Sequence, residues 1–331
     1  MIFVVDKRDV MLRYQNGCIR VEKDNKLIQR IPVKQLEQVV VYGNPLAETA
    51  VWRALSTAEV PTVMLSVRGA DRAAMIGSGL AVQLPLRRMQ HRSSSHRQHG
   101  LLLAKWLVGR KIDSYDLAID CLKRNYRLQE TDSNEFNRRQ QSSRANLAAA
   151  QDMLSVTGVE GQLAHAWFGL LAQYLDPQWH FSGRNRRPPR DPVNALLSLG
   201  YTLIMSEIGQ SVTGFGFDPS LGFLHQDYPG RESMVLDVTE IFRSAVDCFV
   251  LQSLADGVFS PDSFYHRSVD GCRLSKQARP CFFQAWASYR EEWPRPLAGQ
   301  TSPNDHCAPV REQITGQLMN LCEYMKALEQ Q

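Results

Sequence analysis

The sequence predicts an α+β protein, with a β-rich N-terminal domain over residues 1–83 and a mostly α-helical domain over residues 84–331. Three observations carry that division. Short β-branched runs separated by Asp, Asn and Gly fill the chain up to about residue 80. After Leu84 the apolar residues fall at helical spacing instead. The chain has 331 residues, 44% hydrophobic and 22% charged, a globular balance with enough length for two domains.

The strands come first. Phe3 to Val5, Val10 to Leu12, Cys18 to Val21, Lys26 to Ile31 and Val39 to Tyr42 are the β-branched runs. QNG at 15–17 and KDN at 23–25 separate them as hairpin turns, because Asn and Gly tolerate positive φ. Ala47 to Ala58 reads as a helix with Ala50, Val51, Ala54, Leu55 and Ala58 on one face, and Pro61 to Val67 as a further strand. In the second half, Gly100 to Ile112 is apolar nearly all round, which predicts a helix buried on most sides. Tyr115 to Arg127, Ser142 to Val156, Asn194 to Ile204 and Arg311 to Leu328 also carry helical spacing.

Composition excludes several classes. No apolar run approaches the roughly 20 residues of a membrane span. The opening MIFVVDKRDV lacks the features of a secretory signal, so a cytoplasmic location is expected. The seven cysteines contain no CxxC pair and read as reduced thiols packed as small hydrophobes, not as zinc ligands or a disulfide framework. The net charge of +4 says little, but its distribution says more. From Ala81 to Ile112 there are seven Lys or Arg, three His and no acid, and GRNRRPPR at 183–190 places four arginines in seven positions. Such density suits a polyphosphate ligand, and it also suits a solvated face.

Two acids pose the sharper question. In 222-GFLHQDYPGRESMVLDVTEIFR-243, Asp237 and Glu240 sit within an apolar run, three apart, which puts both on one helical face. Their repulsion requires a cation. Arg243 could supply it as an ion pair, or a divalent metal could, with His225 offering a nitrogen ligand; carboxylates and one imidazole suit Mg²⁺ or Mn²⁺. A third acid, Glu160, stands between glycines in 157-TGVEGQLAHAWFGLL-171. It reads as first-turn complement to a helix dipole, or as an acid on backbone open to a ligand. His165, five residues on, points elsewhere and reads as a packed histidine. Between these segments Asp191 should cap a helix that begins at Pro192.

The order GVEGQLAHAWF, RRPPRDPVNALLSLGYTL, GFLHQDYPGRESMVLDVTEIFR resembles the CRISPR-associated adaptation integrases, the DNA endonucleases that install new spacers. LRRMQHR at 86–92, GLLLAKWLVGRKI at 100–112 and RIPVKQLEQVVVYGN at 30–44 extend the resemblance over most of the chain. It implies that Glu160, His225 and Glu240 are the catalytic metal ligands for Mg²⁺ or Mn²⁺, with Asp237 an additional ligand or a support behind them. The tyrosine of LGYTL, Tyr201, would lie near the site with no catalytic role. Where the family tends to read PFRP after the last ligand, this chain reads IFRS at 241–244. The resemblance also implies homodimerisation through the β-rich domain, assembly on a small ferredoxin-like CRISPR-associated partner, and binding of double-stranded DNA, both spacer precursor and repeat. Arg87, Arg88, Arg92, Arg97, Arg184, Arg186 and Arg187 are the candidate contacts to the DNA backbone. Alanine at Glu160, His225 or Glu240 is expected to abolish strand transfer and leave folding intact. The competing expectations are a non-catalytic DNA-binding assembly subunit and a branched-DNA repair or transposon-type nuclease.

Overall fold

The computed structural model describes all residues except 7–8, 37, 43, 66–73, 77–83, 186–187, 268–270, 295–306 and 331. The N-terminal half contains β1 (Ile2–Val5), β2 (Met11–Gln15), β3 (Cys18–Lys23), β4 (Lys26–Pro32), β5 (Gln38–Tyr42), β6 (Leu46–Ala47), α1 (Thr49–Thr57), β7 (Thr62–Leu65) and β8 (Ala74–Ile76). One sheet has the order β1-β5-β7-β8 and is parallel except at β8; the other has the order β4-β3-β2-β6. Both expected hairpin turns form, with φ of 50° and 73° at Asn16 and Gly17 and of 50° and 60° at Asp24 and Asn25.

Period-two alternation joins the two halves of the chain. Val39 and Val41 face a core shared with Phe3, Val5, Leu12, Ile19 and Leu55. Val40, between them, faces the other way and joins Val63 in the core of the helical half. The first sheet is therefore buried on both faces, which is why β5 reads as an unbroken β-branched run. The expected domain boundary at residue 83 lies outside the described residues.

The helical half contains α2 (Leu84–Ser95), α3 (Arg97–Tyr126), α4 (Glu130–Ala149), α5 (Met153–Tyr174), α6 (Pro192–Phe215) and α7 (Ser233–Ala255). A hairpin of β9 (Phe264–Arg267) and β10 (Gly271–Leu274) follows, then α8 (Arg279–Glu291), the short β11 (Trp293–Pro294) and β12 (Cys307–Ala308), and α9 (Val310–Glu329). Two expected helices, 100–112 and 115–127, are one continuous α3. No Gly or Pro interrupts the join, and Ser114 Oγ donates to the Lys111 carbonyl at 2.7 Å within the helix. The helical spacing over 142–156 crosses a real boundary: α4 ends at Ala149, and Asp152 caps α5 by accepting from Ser155 N at 2.8 Å.

Helix α7 is the axis of this half and is buried almost all round. The aromatic residues after 275 pack on it: the Phe249 ring lies 5.4 Å from Phe282 and 5.1 Å from Trp286, edge to face. Across α6, Gly200 lets the helices approach closely, since a Cβ there would lie 2.7 Å from Val246 Cγ1. Gly200→Ala is therefore expected to destabilise by about 1–3 kcal/mol through overpacking, seen as a lower urea midpoint with an unchanged m-value. All seven cysteines are free thiols, with Cys18, Cys121, Cys248 and Cys272 buried. Among the described residues, no helix is long and apolar enough to cross a membrane.

Candidate metal and nucleic-acid site

Asp237 and Glu240, both on α7, are neutralised differently. Asp237 is fully buried, and its carboxylate accepts four hydrogen bonds. Oδ2 takes the backbone N–H of Phe223 at 2.5 Å and of Leu224 at 2.9 Å. Oδ1 takes the N–H of His225 at 2.9 Å and the imidazole Nδ1 at 2.8 Å. Gly222 permits this wrap, because a Cβ there would lie 2.9 Å from Oδ2. Of the two expected places for Asp237, additional ligand or support behind the ligands, these contacts favour the second, since both oxygens are engaged within the protein. The second effect of Asp237 is on the imidazole. With Nδ1 donating to a carboxylate, the neutral ring has its lone pair on Nε2, the tautomer that can ligate a metal.

Glu240 is held by cations. Lys111, on α3, reaches its Oε2 at 2.5 Å, and Arg243 Nε lies 2.8 Å from Oε1 as an ion pair. The same Lys111 Nζ also donates to Glu160 Oε1 on α5. Burial by itself would raise the Glu240 carboxyl pKa, but the Arg243 guanidinium and the Lys111 ammonium outweigh it and hold the group well below the usual carboxylate range. Arg243 lies over the ring of Tyr201 at 4.7 Å, and burial, which would lower its pKa, is outweighed by Glu240.

A buried network behind these groups fixes the helices. Asp247, two turns along α7 from Glu240, accepts from Trp167 Nε1 on α5 at 2.8 Å and from the Tyr201 hydroxyl on α6. Trp167 is seven residues from Glu160, so the anchor and the acid share one face of α5. Burial, then the Asp247 charge, pushes the Tyr201 pKa up.

The structure thus brings Glu160 and Glu240 together on one cation and ties His225 to a residue one turn before Glu240. It does not close all three around a single point: among the described residues no group of three or more His, Cys, Asp or Glu side chains stands at metal-binding distance. Two local expectations change. Glu160 is the eighth residue of α5, far beyond the first turn, so the helix dipole does not account for it. A Cβ added at Gly158 or Gly161 would meet nothing within 4 Å, leaving that surface open. His165 is exposed, not packed, and lines a cleft between α4 and α5 with Arg139 and Asn146.

The comparisons with known proteins agree with this architecture. Residues 3–288 match the family described as CRISPR associated protein Cas1. The chain belongs to the Cas1 family. A CRISPR-associated endonuclease Cas1 of Thermus thermophilus is 30% identical over 322 residues, covering 97% of this chain and 95% of the relative. Another, of Chlorobaculum tepidum, is 29% identical over 297 residues, covering 87% and 86%. Among solved structures, a Cas1 protein from Thermotoga maritima superposes with a TM-score of 0.80 at 20% identity, over 98% of this chain and 97% of that one. A casposase bound to integration product gives 0.83 at 17% identity, over 98% and 90%. A Cas6-RT-Cas1–Cas2 complex gives 0.77 at 22% identity, over 99% of this chain and 35% of that one.

The arginines of this Cas1-family chain divide by geometry. Arg88 and Arg97 are exposed on α2 and at the start of α3, and Arg87 is half-buried. Arg92 pairs with Glu329 of α9 at 2.6 Å, and Arg184 turns inward to Asn194 Oδ1 at 2.7 Å, Ser198 Oγ at 3.2 Å and the Tyr201 ring. Arg92 and Arg184, read from sequence as backbone contacts, thus have protein partners. Arg186 and Arg187 lie outside the described residues. Their loop is anchored as expected: Asp191 caps α6 by accepting from Asn194 N at 2.8 Å, with Pro192 at the first position. Sequence reading did not single out Lys111. The sequence offers no separate signal for it, because Lys105 and Arg110 stand in the same helical stretch.

Proposed function

We propose that this Cas1-family chain is a divalent-metal-dependent DNA endonuclease and integrase that joins the 3′-hydroxyl of a short DNA to a phosphodiester of a CRISPR repeat. The observation that carries the reading is the convergence of Glu160 and Glu240, from separate helices, on one positive charge. Beside them, Asp237 presets the tautomer of His225. Two carboxylates and an imidazole nitrogen form a donor set that fits Mg²⁺ or Mn²⁺. Glu160, Glu240 and His225 Nε2 would hold the ion. Once bound, it would offset the charge on the attacking and leaving oxygens.

The chain's own residues do the positioning. Asp237 sets the plane of the imidazole, Arg243 fixes one oxygen of Glu240, and the Asp247 network keeps α5, α6 and α7 in register. The Tyr201 hydroxyl, whose ring lies against Arg243, is engaged by Asp247. In this reading the attacking group belongs to the nucleic acid, and the protein contributes placement and electrostatics. We extend the reading to the partners: duplex DNA, a small ferredoxin-like CRISPR-associated protein and a second copy of this chain meeting through residues 1–83. The family membership and the likeness to a complex containing Cas2 support it.

The test mixes the protein and its small partner with a short duplex bearing 3′ ends and a repeat-bearing plasmid. Half-site joining is expected with Mg²⁺ or Mn²⁺ and none after chelation with EDTA. Joining that survives EDTA, or that fails with both metals, would overturn the proposal.

A further inference from the structure

We propose that Lys111 is a built-in counter-cation that competes with the divalent ion for Glu160 and Glu240, so that the metal site forms only as its ammonium withdraws. The inference rests on the metal reading above and concerns what sets the affinity of that site.

Four charged side chains meet here: Glu160 and Glu240, and facing them Lys111 and Arg243. Their formal charges cancel, so the cluster is complete without a metal. That balance explains a lysine whose side chain is only 5% exposed, since a buried charge is tolerated when paired. It also obstructs loading. Both oxygens of Glu240 are occupied, Oε2 by Lys111 and Oε1 by Arg243, and Lys111 takes Oε1 of Glu160 as well. For a divalent ion to reach both carboxylates, a cation must leave.

Arg243 is poorly suited to leave. Its planar guanidinium is held over the Tyr201 ring at 4.7 Å and lies only one helical turn from its partner. Lys111 reaches across from another helix on a flexible four-carbon stem, and its contacts to both acids are through the single Nζ. Were it to stay, an ammonium would sit a few ångströms from a divalent ion in a partly desolvated pocket, a repulsion that falls directly on metal affinity. Lys111 is therefore a positioning residue. It keeps two carboxylates together in the metal-free protein and weakens metal binding by the same contacts.

The experiment titrates Mn²⁺ into DNA-free protein, reading the unbound ion by electron paramagnetic resonance, and records melting temperatures in EDTA and in saturating Mn²⁺. Lys111→Met keeps the length of the side chain and removes the charge. It is expected to bind Mn²⁺ about tenfold more tightly than wild type, or better, from the lost repulsion. It should melt lower in EDTA and gain more from Mn²⁺. Lys111→Arg, which keeps the charge, should bind no more tightly than wild type. A lysine with a merely structural role would lower the melting temperature without tightening the metal, so an affinity within twofold of wild type, or weaker, overturns the proposal. Should Lys111→Met fail to fold in EDTA, folding on addition of Mn²⁺ supports it, and failure in both conditions overturns it. Wild-type protein that binds no Mn²⁺ would sink the metal reading together with this inference. Wild-type binding with an unchanged Met variant would sink this inference alone.

Discussion

Glu240→Ala is expected to lower stability by about 3–5 kcal/mol and to abolish strand joining, whereas Glu160→Ala abolishes joining at little cost in stability. The two glutamates meet at the same ammonium, but their surroundings differ. Glu240's side chain is 6% exposed and partners two buried cations, Lys111 and Arg243. Its removal leaves Arg243 against the Tyr201 ring without its carboxylate, and Lys111 with one acid in place of two. Breaking a buried pair costs more than the pair contributes, because the remaining charge stays desolvated. Glu160's side chain is 25% exposed on a face where neighbouring glycines meet nothing, so water can reach the gap left by its loss. After that loss Lys111 still has Glu240. Urea unfolding in EDTA separates the cases: a large fall in midpoint for Glu240→Ala, near-wild-type behaviour for Glu160→Ala, and no joined product from either. Equal midpoints for the two variants would show that the burial difference carries no energy. The sequence-based expectation that alanine at Glu160, His225 or Glu240 leaves folding intact is therefore kept for Glu160 and replaced for Glu240 by this prediction.

What the sequence made legible follows from how local each signal is. The strands of the first half and their turns depend on alternation and on Asn and Gly at positive φ, and they formed where expected. The cap at Asp191 with Pro192 is equally local, and it formed too. Glu160, His225, Asp237 and Glu240 could be picked out as candidates, while the partners each one engages could not. Asp237's partners are the backbone of 223–225, and nothing in a one-dimensional pattern shows a carboxylate closing on three successive N–H groups. Lys111 was hidden in a different way. Within the basic stretch 81–112 it counted as one more charge toward a polyphosphate surface, yet it is turned inward to two acids. In the same stretch Arg92 pairs with Glu329, and Lys105 donates to the Ala148 carbonyl at the end of α4. Charge density along a sequence sums inward and outward side chains alike. The join of 100–112 with 115–127 was missed because two polar residues, Asp113 and Ser114, interrupted the apolar pattern without ending the helix.

Asp237→Ala should be as damaging to joining as loss of a ligand, although the carboxylate touches neither metal nor nucleic acid in the proposed mechanism. The variant leaves four donors without an acceptor: three backbone N–H groups and the imidazole Nδ1. Each buried unsatisfied donor costs about 1–3 kcal/mol, and partial relaxation of the 222–232 loop toward water brings the expected total to about 3–5 kcal/mol. Asp237→Asn separates folding from function. Its side chain keeps the volume and one oxygen, so most of the backbone contacts can persist. Its NH₂ group cannot accept the second set of donors, and the imidazole loses the partner that fixes its tautomer. The Asn variant is therefore expected to lose roughly 1–2 kcal/mol and to join strands about 10–100-fold more slowly. Its Mn²⁺ affinity should fall alongside the rate, because Nε2 is presented only while Nδ1 is held. An Asn variant with wild-type metal affinity and slowed joining would move the role of Asp237 away from His225. A variant unchanged in both would show that the imidazole needs no support from the helix behind it.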